Sequence, residues 1–421
     1  MSSNAREIKD VFYLVALQGI NYIAPLLVLP YLMMVLGAEK FGYISFALIV
    51  TQYLMLLVDF GFNFTATKRI ALAKGNQAEL NRIFTSTLYA KIGLLLASFL
   101  VLLAIAQVPQ FEIYRQAMFV MFLVVVGNAF TFIWLFQGLG QIRFIAIFNA
   151  IAKLSILPLT FVFVKNPDDY LTAAFLQASV SIFAMLISIA YVIKKKWVKI
   201  TSFVGKNVIS DLKDSYPIFL SGAATSIYTA SFGLMLGYFA LAEAVGQYSA
   251  AERIMRGFCW LIFIPVSQAF FPKISALSQS DPNRAKKMIK KLAIFVGIAM
   301  LAVFFILFFL SDYLMLFLRD DFEGIDLLFK IMAIVPFFVA LGGVFGQLGL
   351  LALGDERDKM NFQRVYLIAG VFALVSIFVS IPLWGTIGAA VSLLMTEIIV
   401  CGLMIWFGRK ILKKSTQMTQ I

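Results

Sequence analysis

Residues 11–36 read VFYLVALQGINYIAPLLVLPYLMMVL, an apolar run without a charged side chain. It is long enough to cross a lipid bilayer as one helix. Eleven further apolar stretches follow along the chain, at 41–63, 85–107, 115–138, 143–164, 170–193, 215–240, 255–274, 291–311, 327–351, 364–383 and 385–408. The sequence therefore predicts an all-α polytopic membrane protein with 12 transmembrane helices.

Basic side chains are concentrated in every second connection between these stretches. If the N-terminus is cytoplasmic, the cytoplasmic segments hold 26 of the 35 lysines and arginines, and the external connections hold six. Cytoplasmic loops of membrane proteins carry such an excess of positive charge. We therefore expect both termini in the cytoplasm. The net charge of +13 reflects this topology and an attraction to anionic membrane lipid, and it does not indicate nucleic-acid binding.

Several chemistries are excluded or disfavoured by residues that the sequence lacks. It contains no histidine, which excludes a Ser-His-Asp triad, a histidine-ligated metal and a histidine proton shuttle. Neither a P-loop nor a dinucleotide-binding glycine motif is present. Cys259 and Cys401 lie in separate apolar stretches, so no disulfide is expected. We expect a protein that is not an enzyme, with no catalytic residues, no metal and no cofactor.

The longest cytoplasmic connection divides six apolar stretches from six. We predict an N-terminal lobe at 1–193, a cytoplasmic linker at 194–214 and a C-terminal lobe at 215–421. Residues 38–45 (AEKFGYIS) and 242–249 (AEAVGQYS) share Ala, Glu, Gly and Ser at a constant offset. With six helices in each half, the repeat is parallel, and a binding site is expected between the pseudo-symmetric lobes.

Four ionisable side chains lie deep inside predicted spans, where a charge is costly unless it meets a partner or water. Lys153 is too deep to reach the interface, so it faces either an anionic substrate or a buried structural partner. Asp59 and Lys91 lie at similar depth on neighbouring spans, which favours a structural ion pair over a coupling role. Glu397 is either a proton-coupling group or a hydrogen-bonded structural carboxyl.

Polar side chains also follow one face of the eighth stretch, at three- and four-residue steps. These are Arg253, Arg256, Trp260, Ser267 and Gln268. Arginine stays charged at depth, and its planar fork suits phosphate oxygens. The first and seventh stretches add Gln18, Asn21, Tyr22 and Tyr228. We predict that these residues line a substrate path, with helix packing and an exposed position at the interface as the alternatives.

Four motifs connect the chain with a known family. They are LGAEKFG at 36–42, DFG at 59–61, WLFQG at 134–138 and VGQYSAAER at 245–253. In this order, and with twelve spans, they resemble the polysaccharide-transporter branch of the multidrug/oligosaccharidyl-lipid/polysaccharide (MOP) exporter superfamily. The most similar members are O-antigen flippases of the Wzx type. The resemblance covers about residues 8–410.

The resemblance implies a MATE-like fold with two lobes around a central cavity, working by alternating access. The cargo would be an undecaprenyl-diphosphate-linked oligosaccharide, moved from the cytoplasmic to the periplasmic leaflet of the bacterial inner membrane. Arg256, Arg253 and Lys153 could then bind the diphosphate. The sugar would contact the remaining candidates, namely Gln18, Asn21, Tyr22, Tyr228, Trp260 and Gln268. Proton or sodium coupling, and contacts with an O-antigen polymerase and a chain-length regulator, are further expectations.

Two other functions remain as alternatives at this point. A cation-coupled multidrug or small-solute antiporter of the same superfamily is disfavoured, because the first stretch lacks the acidic residue expected of many such exporters. The first stretch also lacks the arginines expected of the lipid II flippase branch. A membrane-embedded polysaccharide polymerase or glycosyltransferase would use the acidic segment 312–326, which is too short to form a sugar-binding domain.

Overall fold

The computed structural model describes residues 3–314, 322 and 324–413. Side chains are described for these residues except 3–26, 142, 146, 224, 225, 227, 228, 314 and 413. The described chain is helical and contains no strand. Its helices are α1 (Ser3–Asp59), α2 (Phe62–Leu72), α3 (Gln77–Ile105), α4 (Arg115–Phe130), α5 (Ile133–Gly138), α6 (Ile142–Phe163), α7 (Tyr170–Lys195), α8 (Gly205–Phe239), α9 (Ala242–Ser280), α10 (Pro282–Leu314), α11 (Ile325–Met332), α12 (Val335–Gly343) and α13 (Glu356–Lys413). Short 3₁₀ helices at Pro109–Tyr114 and Pro167–Asp169 and a π-helix at Val344–Leu351 complete the set.

Nine segments of the described chain are long and apolar enough to cross a membrane, and Thr229–Phe239 is a shorter apolar helix. The prediction of an all-α polytopic membrane protein is therefore confirmed, while the count of 12 spans stays a prediction. Two of the nine segments, Leu27–Leu72 and Glu356–Leu412, have 46 and 57 residues. A helix needs only about 20 residues to cross the hydrocarbon core, so each of these two is longer than one crossing requires.

A single glycine breaks each of the long helices α1 and α13. Gly37 has φ 71° and ψ 175°, and Gly385 has φ 54° and ψ −128°. Glycine adopts a positive φ without the steric penalty that a Cβ atom brings. The sequence predicts turns at 37–40 and near Trp384, and the structure shortens each of them to a break at one residue.

Helix α9 begins at Ala242, although the sequence analysis places 241–254 in an external turn. The charged residues Glu243, Glu252 and Arg253 lower the hydropathy of this segment. Alanines with strong helix propensity lie between them. Val245, Tyr248, Ala250 and Ala251 are also buried. The packed face therefore continues the helix to a point where average hydropathy predicts none.

The chain forms two compact units, Met1–Ser226 and Ile227–Ile421. In the first unit, the core contains Phe62, Ile70, Phe84 and the α5 side chains Trp134 and Phe136. In the second unit, the core contains residues of α9, α10, α12 and the π-helix, namely Cys259, Phe263, Ile289, Val296, Met300, Ala340 and Val344. The boundary lies inside α8, and the lobes 1–193 and 215–421 with the linker 194–214 stay a prediction about membrane topology.

The two copies of the repeated octapeptide occupy equivalent local positions. The helix resumes at Ala38 after the break at Gly37, and α9 begins at Ala242. In both copies the first, fourth, fifth and eighth residues are buried, and the glutamate at the second position is not. The shared Ala, Gly and Ser are therefore residues of the packed helix face, where small side chains allow close approach.

The chain between α7 and α8 is extended and runs along α3. The side chains of Gln77 and Asn81 bond the Trp197 carbonyl and the Lys199 amide, each at 2.8 Å. One turn further, the Thr201 amide donates to Thr85 Oγ1 at 3.0 Å. Four helical residues rise about 6 Å, and two extended residues span about 6.6 Å. Because these two distances nearly match, every second residue of the extended segment lies beside the next turn of α3.

Candidate functional site

Arg256 lies on α9 in the second unit and is held by a carboxylate one turn earlier. Its Nε and Nη2 both lie 2.9 Å from Glu252 Oε1. The two side chains are each 18% exposed. Charge-assisted contacts from two nitrogens of one guanidinium fix its orientation as well as its position. The arrangement presents a partly buried, oriented cation of the kind that binds phosphate oxygens.

The other residues of the predicted α9 stripe have differing environments. Arg253 is partly buried, and Trp260 and Gln268 are exposed within their unit. Ser267 donates a hydrogen bond of 2.7 Å to Gln347 Oε1 on the π-helix. Ser267 therefore packs α9 against a neighbouring element, which is the structural alternative for that residue.

Lys153 lies near the middle of α6 in the first unit and is partly exposed. None of the residues whose side chains are described forms an ion pair with it. A lysine this far from both ends of an apolar helix needs water or an anion nearby. The position is thus compatible with an anionic ligand, as the sequence predicts.

Asp59 and Lys91 meet in the first unit. Lys91 Nζ lies 3.3 Å from Asp59 Oδ1, with the lysine side chain 3% exposed and the aspartate side chain 25% exposed. Lys91 comes from the middle of α3, and Asp59 is the last residue of α1. The lysine charge is therefore compensated inside the unit, in the arrangement that the sequence favours for these two residues.

Glu397 is buried in α13, one turn before the equally buried Cys401. Neighbouring polar side chains of the helix are satisfied locally, since the Thr396 hydroxyl donates to the Ser392 carbonyl at 2.7 Å. The side chains of Gln18, Asn21, Tyr22 and Tyr228 lie outside those that the structure describes. Within the described residues, no group of three or more His, Cys, Asp or Glu side chains could hold a metal ion.

The structure gives partners to two carboxylates for which the sequence predicts no role. Glu252 precedes Arg256 by four residues, and this spacing alone indicates a pair on one helix face. Asp211 binds Arg69, 142 residues away, and no local pattern connects the two. The structure thus adds a partner for a proposed phosphate-binding residue and a buried ion pair at the start of α8.

Comparison with known proteins shows the family. A family model described as "Polysaccharide biosynthesis protein" matches residues 8–278. The chain belongs to this family. A protein of Escherichia coli (strain K12) is 30% identical over 403 residues, 95% of this chain and 96% of its own. One of Shigella dysenteriae is 31% identical over 398 residues, 93% of this chain and 97% of its own. Both relatives carry the name "Putative O-antigen transporter".

Solved structures with the same fold come from the exporter superfamily that the motifs resemble. An inward-facing multidrug resistance MATE family transporter of the MOP superfamily superposes with a TM-score of 0.71 at 13% identity, over 94% of this chain and 99% of its own. The lipid II flippase MurJ, in an inward closed conformation, gives 0.70 at 15% identity, over 93% and 87%. The MATE-like fold of this polysaccharide biosynthesis protein and its resemblance to MOP exporters are both confirmed.

Proposed function

We propose that this protein is a flippase for lipid-linked oligosaccharides. It moves an undecaprenyl-diphosphate-linked O-antigen repeat unit from the cytoplasmic to the periplasmic leaflet by alternating access of two lobes. The observation that carries the proposal is the 30% identity, over 95% of the chain, to a protein named as an O-antigen transporter. The MurJ superposition supports it, because that fold accommodates a flippase for another lipid-linked saccharide.

The diphosphate is the part of this cargo that most needs fixed cations. Two negatively charged phosphates entering an apolar environment require charge compensation by the protein. We assign this role to Arg256, with Arg253 and Lys153 as further cations. The paired nitrogens of Arg256 and the mid-helix position of Lys153 support the assignment. Amides, hydroxyls and aromatic faces are the groups that bind polyols. We therefore assign contact with the sugar to Trp260, Gln268, Gln18, Asn21, Tyr22 and Tyr228.

Movement of cargo, and not catalysis, is the proposed role. The chain lacks histidine, and its relatives are named as transporters. We place the protein in the bacterial inner membrane as a multi-pass chain of 12 spans with both termini in the cytoplasm. The distribution of lysine and arginine supports this orientation. The same proposal includes lobes at 1–193 and 215–421, and contacts with a polymerase and a chain-length regulator.

Energy coupling is assigned to protons or sodium ions and not to a bound cofactor. Glu397 is the first candidate, because it is a buried carboxylate in a membrane helix. Asp59 is the second, and its ion pair with Lys91 favours a structural role.

Deletion of the gene in its native host tests the proposed function. We expect loss of the O-antigen ladder together with accumulation of diphosphate-linked repeat units in the inner leaflet of the cytoplasmic membrane. A normal ladder with an altered drug-resistance profile would instead identify an antiporter. Single repeat units on the lipopolysaccharide, without polymer, would identify a polymerase.

A further inference from the structure

A cavity of about 310 Å³ lies in the first unit, between α3, the extended segment 197–204 and the first turn of α8. Polar groups make up much of its wall: Arg82, Thr85, Ser86, Thr201, Ser202 and Asn207. None of these residues has a part in the transport mechanism proposed above. A wall this rich in polar groups suits a polar or charged ligand.

Arg82 supplies the positive charge of this cavity. Its Nε lies 2.7 Å from Glu79 Oε2, and its Nη2 lies 2.5 Å from Glu79 Oε1. Within the described part of the chain, Nη1 has no partner, and the side chain is 41% exposed. A guanidinium held on one edge by a carboxylate presents its remaining N–H groups in a fixed direction. This geometry suits one phosphate oxygen.

Two further donors line the same wall. The Ser202 hydroxyl and the side-chain amide of Asn207 form no hydrogen bond with any described residue, and both residues line the cavity. Ser86 already donates to Asp211 and to the Ile83 carbonyl, whereas Thr85 accepts from Thr201 and keeps its own hydroxyl proton. The donors at the opening therefore include one guanidinium nitrogen, the Ser202 hydroxyl and the Asn207 side-chain amide.

The rim of the cavity is apolar and exposed. The lining residues Phe203 and Val204 are 60% and 47% exposed, and Ile200 and Ile209, close to them in sequence, are exposed as well. The Phe203 ring meets the Tyr89 ring edge-on, with 5.0 Å between their centroids. A group of exposed aromatic and aliphatic side chains beside a polar wall is typical of the boundary between lipid tails and headgroups.

The surrounding charge favours an anion at this boundary. Segment 194–214 contains six lysines and two aspartates, and Lys199 and Lys206 are exposed on either side of the cavity wall. Basic segments next to membrane helices attract anionic lipids of the cytoplasmic leaflet. Charge, donors and apolar rim thus point to the same class of ligand.

We propose that this cavity binds the phosphate of a lipid headgroup. Arg82, Ser202 and Asn207 contact the phosphate oxygens, and the lipid chain lies along Phe203 and Tyr89. Only the assignment to the cytoplasmic leaflet rests on the proposed function, through its topology. A phospholipid and the isoprenoid diphosphate of the cargo share this chemistry, and the experiment below separates the two sources.

The test uses the full chain in nanodiscs of phosphatidylethanolamine with a minor fraction of phosphatidylglycerol, and native mass spectrometry to count retained lipid. We expect Arg82→Gln to weaken phosphatidylglycerol retention about tenfold, the effect of one charge-assisted hydrogen bond. Glu79→Gln should strengthen it, because the substitution removes a negative charge beside the phosphate while the glutamine amide oxygen still accepts from Arg82. Arg284→Gln removes an exposed basic residue elsewhere and serves as the control.

Opposite effects of Arg82→Gln and Glu79→Gln support the proposal, since misfolding would lower retention in both variants. Equal effects of Arg82→Gln and Arg284→Gln would overturn it, because overall charge would then explain the binding. Addition of undecaprenyl diphosphate identifies the source. Displacement of phosphatidylglycerol assigns the cavity to the cargo lipid, and retention assigns it to a phospholipid. Neither readout requires transport, so failure here leaves the proposed function untouched.

Discussion

Arg69 on α2 and Asp211 on α8 form an ion pair across 142 residues of sequence, with Arg69 Nη1 2.5 Å from Asp211 Oδ1. The second carboxylate oxygen accepts the Ser86 hydroxyl at 2.6 Å. The Asp211 side chain is 1% exposed. This residue therefore joins α8 to α2 and α3, within the part of α8 that belongs to the N-terminal compact unit.

Replacement of Asp211 should destabilise the protein. Asp211→Ala leaves the Arg69 guanidinium without its carboxylate and Ser86 with only the Ile83 carbonyl as acceptor, and we expect a loss of about 3 kcal/mol. Ser86→Ala removes one hydrogen bond and should cost about 1 kcal/mol. Asp214→Ala, at an exposed position three residues later, is the matched control and should change stability by less than about 0.5 kcal/mol. Unfolding of the purified protein in detergent measures all three changes in stability. Equal losses of stability in Asp211→Ala and Asp214→Ala would show that the contacts of Asp211 with Arg69 and Ser86 do not stabilise the fold.

The Asp59–Lys91 pair predicts an asymmetry between two single substitutions. Asp59→Asn leaves Lys91, which is 3% exposed, without a negative partner, and should cost about 3 kcal/mol. Lys91→Met leaves Asp59 in contact with solvent and should cost less. The double variant should be more stable than Asp59→Asn alone. Additive losses in this double-mutant cycle would show that the two side chains do not interact.

Gly61 and Gly75 allow the steric part of a glycine substitution to be measured. Both have a positive φ, 86° and 91°. A Cβ atom on Gly61 would lie 2.9 Å from Ile218 Cβ and 3.1 Å from the Ser215 carbonyl oxygen, whereas Gly75 has no neighbour within 4 Å. Gly75→Ala should cost about 1–2 kcal/mol from backbone strain alone. Gly61→Ala should cost about 1–3 kcal/mol more, because α2 and α8 must separate. Equal melting temperatures of the two variants would argue against this close contact.

Transport should depend on the planar shape of the Arg256 guanidinium as well as on its charge. Arg256→Ala removes a proposed diphosphate cation and should abolish O-antigen display at normal membrane levels. Arg256→Lys keeps the charge but loses the two-nitrogen contact with Glu252, so we expect about a tenfold lower transport rate. Arg357→Ala removes an exposed arginine outside the predicted spans and should have no effect. Full activity of Arg256→Ala would remove this residue from the site.

Patterns along the chain predict much of this fold. Apolar stretches of bilayer length identify the membrane helices, because hydrocarbon leaves few alternatives to a helix. Depth within neighbouring spans also favours the Asp59–Lys91 pair. Hydropathy predicts no helix over 242–254, because the buried alanines and tyrosine of this segment alternate with charged residues that lower its average.

Other features depend on contacts that no local pattern encodes. Asp211 looks like a solvated charge of a cytoplasmic loop, and only the folded chain brings Arg69 and Ser86 to it. The extended segment 197–204 likewise pairs with α3 through residues more than 110 positions away. Glu252 differs, because its four-residue spacing from Arg256 was readable in the sequence.

Translocation by the purified protein is the most direct test of the central claim. Proteoliposomes would carry a fluorescent undecaprenyl-diphosphate-linked oligosaccharide, and an impermeant reagent that destroys exposed label would report how much reaches the outer leaflet. We predict that the protein exposes label initially in the inner leaflet, and that Arg256→Ala abolishes this while Arg357→Ala does not. If folded protein is present in the membrane and label from the inner leaflet becomes accessible no faster than in protein-free vesicles, the account is contradicted.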